Sequence, residues 1–463
     1  MKVLLISYDN ESLVQWFPQS NAYLAGTLLK HGHEVEIYSQ DIHHYPDEHL
    51  TQFLNENKFD MVGLSFIGGY YEYAKALKIS EAINNSSQRP FYVIGGFGPT
   101  PDPDYFLKKT GAEVVVMGEG EVTLIDLIDH IEQGKTLNTV LGISYRGENG
   151  KTKRNPSRPL IEDVDSIPMP AYHLFNIEHY RLSRQANIGK TDFAMPILSG
   201  RGCTFTCNFC YRMDKGFRGR SNESILEEVR YLQENYRINY IAFSDELLMS
   251  SIERTMSLSQ AIIDSGLKFK WYCNGRLNYA KPKVLKLMKE AGCVFINYGI
   301  ESFDNEILKV MHKVLTTKQI EVGIQNTLDI GISPGFNIIF GNIGETREIL
   351  MKGVDFLLKY DDGSQMRTIR PVTPYPGSPL YDHAIEKGLL KDIADFYENK
   401  HTNSDLLTCN FTPMTDDEFY RAISDANEIL LDNYQARIKK QMKETLHDLY
   451  IGQNSNFRGF RQT

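Results

Sequence analysis

Three cysteines lie within eight residues of one another, in the stretch SGRGCTFTCNFCYRM. They are Cys203, Cys207 and Cys210, and no second paired motif in the chain could complete a four-ligand zinc site. A disulfide between any two of them leaves one thiol over. Three thiolates in one short loop suit a cubane iron–sulfur cluster in which three irons are capped and the fourth is open. That open iron can chelate a small ligand that carries an amine and a carboxylate.

The spacing of these cysteines, on a loop after the first strand of a second domain, resembles that of the radical S-adenosylmethionine (SAM) superfamily. The resemblance implies that Cys203, Cys207 and Cys210 bind a four-iron, four-sulfur cluster. It also implies that Phe209, the aromatic residue before the third cysteine, packs beside the adenine of SAM. The alternatives are a zinc or purely structural cluster for the cysteines, and a core aromatic for Phe209.

Further segments of the chain fit the same superfamily, and the SAM contacts that they imply are Asp245, Glu246, Arg276, Glu301 and Gly341. Asp245 and Glu246 lie in FSDELL and would meet the methionine amino group, with Glu246 preferred, although a helix cap explains one of them equally well. Arg276, in CNGRLN, would pair with the cofactor carboxylate, or else form a surface salt bridge. Glu301 ends YGIES at a ribose position, and Gly341 in IIFGNIGET lets the backbone approach the adenine.

Glycine-rich loops follow three predicted strands of the amino-terminal third, at 65–70, 95–100 and 118–121. Without a Cβ, glycine lets the backbone lie flat against a large ring, and a following helix amino terminus suits a phosphate. No cysteine precedes residue 203, so the chain departs from the methylthiotransferase relatives of the superfamily. The loops resemble the cobalamin-binding branch instead, although glycines alone could serve a nucleotide or no ligand. The cobalamin contacts that this resemblance implies are Ser65, Gly95, Gly96, Gly118 and Glu119.

The segment Asp41-Ile-His43 resembles the D-x-H signature through which some cobalamin proteins bind cobalt by histidine. It follows the second predicted strand instead of the first, and Asp47 stands near the position where that signature needs a glycine. We therefore interpret it as a polar surface turn. Without this histidine, we expect cobalamin to bind with its own base detached from cobalt and held in the domain.

Alternating strand and helix patterns in the first third predict a doubly wound (Rossmann-like) parallel sheet with ligands beyond the carboxyl ends of its strands. Five strands are predicted, at 3–7, 34–38, 61–65, 91–94 and 113–117. Five helices are predicted around 21–30, 47–57, 71–84, 102–110 and 121–132. A hairpin with GENG as its turn is predicted over 142–155, and a proline-bearing linker follows it.

The alternation resumes near residue 195 and predicts six strands, too few for a closed eight-stranded barrel. They lie at 195–199, 240–244, 268–273, 293–299, 335–339 and 365–373. We therefore expect an open, partial TIM-like (βα)6 barrel with a helical carboxyl-terminal region. The expected domains are a cobalamin-binding-like domain (1–138), a hairpin and linker (139–190), a radical SAM barrel (191–395) and the helical region (396–463).

The composition of the chain is that of a globular protein, with 41% hydrophobic and 24% charged residues among 463. The formal charge of −9 argues against nucleic acid as a principal partner. No apolar run reaches the roughly 18 residues of a membrane span, and the run after Lys2 is too short for a signal peptide. We therefore expect a cytoplasmic enzyme. Cys273, Cys293 and Cys409 lack partners at ligand spacing and are expected to be small buried residues.

The resemblance implies a cobalamin-dependent radical SAM enzyme that methylates an unactivated carbon of a small molecule through a 5′-deoxyadenosyl radical. It also implies a low-potential electron donor of the flavodoxin or ferredoxin type. Radical cyclisation or rearrangement is the alternative within the superfamily. A non-catalytic iron–sulfur or corrinoid-binding protein is the alternative outside it, and such a carrier has no need of the SAM contacts named above. The substrate and the oligomeric state are not encoded in any motif.

Overall fold

The structure is a computed structural model, and it describes residues 1–147, 150–213 and 215–456. The amino-terminal domain contains a seven-stranded sheet in the order β2-β1-β3-β4-β5-β6-β7. Its strands are β1 (Lys2–Ser7), β2 (Glu34–Ser39), β3 (Met61–Ser65), β4 (Phe91–Gly95), β5 (Val114–Val116), β6 (Ile143–Arg146) and β7 (Thr152–Arg154). Its helices are α1 (Gln19–Lys30), α2 (Gln40–His43), α3 (Asp47–Glu56), α4 (Tyr70–Asn84), α5 (Pro103–Thr110) and α6 (Gly120–Glu132).

The first five strands are parallel, as the sequence predicts, and their apolar residues are buried because helices cover both faces of the sheet. The predicted sheet was too small, however. The hairpin β6–β7 pairs antiparallel with β5 and extends the sheet to seven strands. Two residues of the predicted GENG turn, 148 and 149, lie outside the described residues.

The second sheet is a half-barrel of six parallel strands in the order β15-β14-β13-β12-β11-β8, which confirms the open barrel. These strands are β8 (Ala194–Ile197), β11 (Tyr240–Phe243), β12 (Lys270–Gly275), β13 (Cys293–Glu301), β14 (Ser333–Phe340) and β15 (Arg370–Pro371). The sixth strand is much shorter than its predicted range of 365–373. A two-stranded ribbon that the sequence analysis did not predict, β9 (Gly200–Arg201) with β10 (Arg218–Gly219), follows β8.

The helices of the second half include α7 in the linker, six helices around the half-barrel and three after it. They are α7 (Ile177–Tyr180), α8 (Asn222–Tyr236), α9 (Ile252–Ser265), α10 (Pro282–Glu290), α11 (Asn305–Val310), α12 (Thr317–Asp329), α13 (Arg347–Tyr360), α14 (Pro379–Glu386), α15 (Ile393–Asp395) and α16 (Asp416–Tyr450). A π-helical turn, Phe396–Lys400, follows α15. None of the described helices has the length and apolarity that a membrane crossing requires.

The two halves share their cores. The segment around α14, α15 and the π turn packs against the amino-terminal sheet, where Phe396 and Tyr397 are buried with Phe106. The last helix, α16, packs against α13 and buries Phe419 beside Phe340 of β14. The chain thus returns to the first domain after completing the half-barrel, so the carboxyl ends of both sets of parallel strands are held around one space.

Candidate functional site

A cavity of about 550 Å³ lies between the two domains. On one side it is lined by residues that end or follow β1, β3, β4 and β5, including Ser65, Gly95, Gly96 and Gly118. On the other side it reaches the barrel at Leu198, Gly202, Met213, Ser244 and Glu246. Ligands of parallel α/β folds bind beyond the carboxyl ends of the strands, and here both sheets present those ends to the same space.

The loop between β9 and β10 carries the three cysteines and meets the cavity at its two ends, Gly202 and Met213. Cys207 is buried, Cys210 is exposed and Cys203 is intermediate. A hydrogen bond from the Cys210 thiol, aided by the charges of Lys313 and Arg276, lowers the pKa of Cys207, while burial raises the pKa of Cys203. Thiolate is the form that binds metal.

The cysteine loop is anchored at its centre by Asn208. Its backbone N–H donates to Met311, and its carbonyl accepts from Leu380. Its side-chain amide exchanges two hydrogen bonds with the amide of Asn342, at 3.1 and 3.0 Å. Within the described residues, no three His, Cys, Asp or Glu side chains already stand in ligand geometry. The hydrogen bonds of Asn208 therefore fix the backbone of the loop between the second and third cysteines.

Buried charged side chains from other segments of the chain surround this loop. The Arg276 guanidinium lies 3.3 Å from the ring centroid of Phe205 and donates a hydrogen bond to the carbonyl of Lys313. The Lys313 ammonium is 2.8 Å from Glu301 Oε1 and 5.9 Å from the ring centroid of Phe209. Arg276 is 6% exposed, so the alternative of a surface salt bridge is wrong.

Three of the predicted SAM contacts, Phe209, Arg276 and Glu301, are thus brought together beside the cysteines. Lys313 and Phe205 complete the group, and neither was predicted. Lys313 belongs to no motif used in the prediction, and Phe205 lies between the first two cysteines at a position to which the spacing assigns no role. Glu301 has a φ of +67°, at an irregularity in the pairing of β13 with β14. This conformation is strained for a residue other than glycine, and such strain concentrates at functional sites.

Asp245 and Glu246 lie in different surroundings. Asp245 is 1% exposed and accepts hydrogen bonds from the backbone N–H groups of Ser199 and Gly200 and from the Ser199 hydroxyl. Burial raises its pKa to about 6 despite these bonds. Asp245 does not line the cavity, whereas Glu246 does and is exposed there. Asp245 thus fastens the turn before the cysteine loop, and its contact with SAM stays a prediction, whereas Glu246 is the acid that faces the cavity.

Gly341 has a left-handed φ of +102°, and a Cβ there would lie 2.8 Å from the Phe419 ring. The packing of α16 thus requires this glycine, whether or not an adenine approaches it. Glu345 accepts hydrogen bonds from the N–H groups of Gly341 and Asn342, at 2.8 and 2.9 Å. Burial raises the pKa of Glu345 to about 7. This acid stabilises the loop that carries Gly341.

The loops predicted to hold cobalamin line the other wall. Gly96 has a φ of +98°, and a Cβ there would lie 2.6 Å from the Phe66 carbonyl oxygen. Gly118 also has a positive φ of +81°, but with open space around it. Beyond these loops the cavity continues between apolar side chains that include Leu5, Met61 and Val93. Glu119 lines the cavity too, but its carboxylate is bound by Arg201 and Arg218.

The segment Asp41-Ile-His43 is only in part the surface turn that we predicted. Asp41 is 3% exposed, lines the cavity and accepts a 2.5 Å hydrogen bond from the Tyr180 hydroxyl. Burial raises its pKa to about 6. His43 is exposed, stacks on Tyr45 and is not part of the cavity wall. The prediction of a surface turn is therefore wrong for Asp41, and His43 lies away from the cavity.

Comparisons with known proteins agree with this geometry. Residues 197–357 match the family model of the radical SAM superfamily, and residues 10–128 match that of the B12 binding domain. An uncharacterized methyltransferase of Pyrococcus horikoshii is 32% identical over 401 residues, which cover 84% of each chain. The chain belongs to the radical SAM superfamily, in its cobalamin-binding branch.

Other relatives of this radical SAM enzyme carry the names of different activities. The anaerobic magnesium-protoporphyrin IX monomethyl ester cyclase of Rubrivivax gelatinosus is 26% identical and matches 84% of this chain and 70% of its own. The cytidylyl-2-hydroxyethylphosphonate methyltransferase of Streptomyces wedmorensis is 24% identical and matches 82% of this chain and 80% of its own. The family therefore contains both methyltransferases and cyclases.

Solved structures show the same fold. The radical SAM methyltransferase TsrM from Kitasatospora setae superposes with a TM-score of 0.73 at 19% identity, covering 92% of this chain and 88% of TsrM. The cobalamin-dependent radical SAM enzyme OxsB superposes with a TM-score of 0.67 at 22% identity. The match covers 84% of this chain and 55% of the OxsB chain, so this enzyme spans about half of that protein.

The cofactors of the enzyme follow from its two domains. A radical SAM domain implies a four-iron, four-sulfur cluster and SAM, and a B12 binding domain implies cobalamin. The residues present fit these groups. Three thiols share one anchored loop, and two left-handed glycines, Gly96 and Gly118, border a cavity whose lining includes the apolar side chains of Leu5, Met61 and Val93.

Proposed function

We propose that this enzyme transfers a methyl group to an unactivated carbon of a small-molecule substrate. The observation that carries the proposal is the single cavity lined by the glycine loops of the B12 binding domain on one wall and by the ends of the cysteine loop on the other. A reaction that joins the two cofactors needs both within reach of one substrate. The relative of Pyrococcus horikoshii, matched over most of both chains, carries the name of a methyltransferase.

In the proposed assignment, Cys203, Cys207 and Cys210 hold the cluster, and Ser65, Gly95, Gly96 and Gly118 border the corrin. When bound, the cluster supplies an electron for cleaving SAM, and cobalamin supplies a methyl group. Glu246, in the cavity wall, binds the amino group of SAM. Arg276 and Glu301 bind its carboxylate and ribose, and Phe209 packs against its adenine. Arg276 is already oriented by its stacking on Phe205.

The charged side chains around the cysteine loop are buried. Arg276, Glu301 and Lys313 are each less than 10% exposed, so their charges act in a region of low dielectric, where they orient a charged cofactor strongly. The electron donor proposed for the enzyme is a small low-potential protein of the flavodoxin or ferredoxin type. We place the enzyme in the cytoplasm, because all six cysteines are unpaired and a reducing compartment keeps them so.

Radical cyclisation or rearrangement is the second candidate function, and the relatives named as cyclases favour it. The two candidates differ in the fate of the methyl group of SAM. Methylation moves that group into the product by way of cobalamin, whereas cyclisation leaves it in methionine. A non-catalytic carrier would cleave no SAM at all.

The test is anaerobic purification with metal analysis for iron and cobalt, followed by incubation with a reductant and SAM labelled in its methyl group. The proposal predicts four irons and one cobalamin per chain, and reductant-dependent formation of 5′-deoxyadenosine. It also predicts labelled methyl on the cobalamin or on products formed in a cell extract. Cleavage of SAM with all label retained in methionine would favour cyclisation. If the protein cleaves no SAM, the alternative of a non-catalytic carrier would be favoured.

A further inference from the structure

The cysteine loop is closed at its base by the ribbon β9–β10. Arg201 and Gly200 of β9 pair with Arg218 and Gly219 of β10. This pairing closes the base of the loop that carries the cysteines. A further bridge joins Cys203 to Lys215 just inside this base. The position of the base therefore determines where the three thiols lie relative to the rest of the molecule.

Both arginines of this base reach across to the amino-terminal domain. Arg201 Nη2 lies 2.5 Å from Glu121 Oε1, and Arg201 Nη1 lies 2.8 Å from Glu119 Oε1. Arg218 Nη1 lies 2.9 Å from Glu119 Oε2. Glu119 and Glu121 stand at the start of α6, directly after the glycine Gly118 that borders the cavity. We call Glu119, Glu121, Arg201 and Arg218 the interdomain charge network.

The network is buried and balanced in charge. The side-chain exposures are 14% for each arginine, 6% for Glu119 and 8% for Glu121. Burial opposes the charge of Glu119, but hydrogen bonds from Arg218, from the Ile161 N–H and from Arg201 hold its pKa below the ordinary value. Two guanidinium groups facing two carboxylates in this setting have a fixed geometry, since a bidentate pair constrains direction as well as distance.

The linker is held at the same point. Glu119 Oε2 accepts from the Ile161 N–H at 2.7 Å, and Arg218 donates to the Ile161 carbonyl at 2.6 Å. The first domain, the linker and the base of the cysteine loop therefore meet at one carboxylate. Higher on the same face, Phe97 of the first domain contacts the ring of Tyr211, which follows the third cysteine.

We propose that the interdomain charge network is a positioning device that sets the separation between the cluster and cobalamin. The inference rests on the proposed function, because the separation matters only when both cofactors act on one substrate. It also gives the carboxylate of Glu119 a role other than the predicted contact with cobalamin. Glu121 and Arg201 act with it, and they hold the cysteine loop against the domain whose loops border the corrin.

The leading variant is Glu121→Gln, which removes one charge from the first domain and changes no residue of the cysteine loop. Arg201→Lys is the second variant, since lysine keeps the charge but cannot make the two-pronged contact. The matched control is Arg89→Gln, which removes an ion pair of 2.7 Å with Glu113 inside the first domain. All three proteins are prepared with and without cofactors.

Hydrogen exchange on the cofactor-free proteins measures whether the network holds the base of the loop. The backbone amides of β9 and β10 are expected to exchange about tenfold faster or more in both network variants, and at the wild-type rate in Arg89→Gln. Unchanged exchange at β9 and β10 in both network variants would overturn the proposal. This measurement does not depend on cobalamin, so it tests the hold of the network on the loop separately from the proposed function.

Pulsed dipolar electron paramagnetic resonance between cob(II)alamin and the reduced cluster measures the separation itself. The wild type and Arg89→Gln are expected to give one narrow distance distribution. Glu121→Gln and Arg201→Lys are expected to broaden or shift it, with iron content and cobalamin occupancy retained. If the variants show faster amide exchange but keep the wild-type distance distribution, the network contributes to stability alone. That result would overturn its positioning role.

Discussion

The two walls of the cavity are built by different physical means. Behind the barrel wall lie buried charged side chains, where Arg276, Lys313 and Glu301 surround the cysteine loop. The wall of the first domain presents backbone and apolar surface beside the left-handed glycines Gly96 and Gly118, and its carboxylates Glu119 and Glu121 are paired with arginines. A small charged cofactor such as SAM is held by matching charges, whereas a large ring needs room. Substitutions on the barrel side should therefore impair the enzyme by removing a charge or a cluster ligand. Substitutions in the wall of the first domain should impair it by filling the space that cobalamin needs.

The largest effect is expected on the barrel wall, from Cys210→Ala. Two remaining thiolates cannot cap three irons, so the cluster should not assemble and SAM cleavage should be lost. Iron analysis and the visible absorption spectrum measure this. Cys273→Ala is the control, because Cys273 is buried in the barrel core away from the loop and should retain full iron. If Cys210→Ala kept the full iron content and the cleavage of SAM, Cys210 would not be a ligand of the cluster.

On the first-domain wall, Gly96→Leu should abolish cobalamin binding while iron is retained. Its Cβ would meet the Phe66 carbonyl oxygen, and the left-handed φ adds a cost of about 1–3 kcal/mol to the free energy of folding. Gly134→Leu is the matched control. Gly134 also has a positive φ, of +62°, but it has open space and lies outside the cavity. If both variants lost cobalamin equally, strain alone would explain the effect and the contrast between the walls would fail.

The buried acid Glu345 should make the stability of the enzyme depend on pH. Its pKa is about 7 in the folded protein and 4.5 ordinarily, so the native state keeps a proton that the unfolded chain has lost between these values. Stability should therefore fall as pH rises from about 4.5 to 7, by up to about 3 kcal/mol. Glu345→Gln should lose this contribution while still accepting the bonds from Gly341 and Asn342.

Denaturant unfolding of the cofactor-free wild type and of Glu345→Gln, at pH 5 and at pH 8, measures the difference. The contributions of Asp41 and Asp245, whose pKa values are also raised, cancel between the two proteins. An equal pH dependence in both proteins would show that Glu345 does not carry the effect.

The smallest effect separates the two neighbouring acids of FSDELL. Glu246→Ala should weaken SAM binding by about 1.5–3 kcal/mol, the contribution of a hydrogen bond to a charged ammonium. Asp245→Asn should instead lower stability, because its carboxylate binds the turn at Ser199 and Gly200. SAM titration and denaturant unfolding of both variants test this. If Asp245→Asn weakened SAM binding and Glu246→Ala lowered stability, Asp245 would be the SAM contact and Glu246 the structural acid.

Much of the fold follows from local patterns. The strands of both sheets were predicted because their apolar runs are short and bounded by turns, and the prediction of an open barrel is confirmed. The hairpin was predicted too, but not its pairing with β5, since an edge strand finds its partner through the tertiary structure. The ribbon β9–β10 was missed because two-residue strands leave no periodicity.

The cofactors of this protein could be predicted from the amino-acid sequence, because three thiols at a fixed spacing and glycines after strands are local features. Which charges act together could not be predicted, because that depends on the tertiary structure. Asp245 and Glu246 are adjacent in the chain, yet one is enclosed by the turn at Ser199 and the other faces the cavity. Glu119 and Arg201 are 82 positions apart and lie 2.8 Å from each other. Burial and long-range contact depend on how the whole chain packs, and no local pattern encodes them.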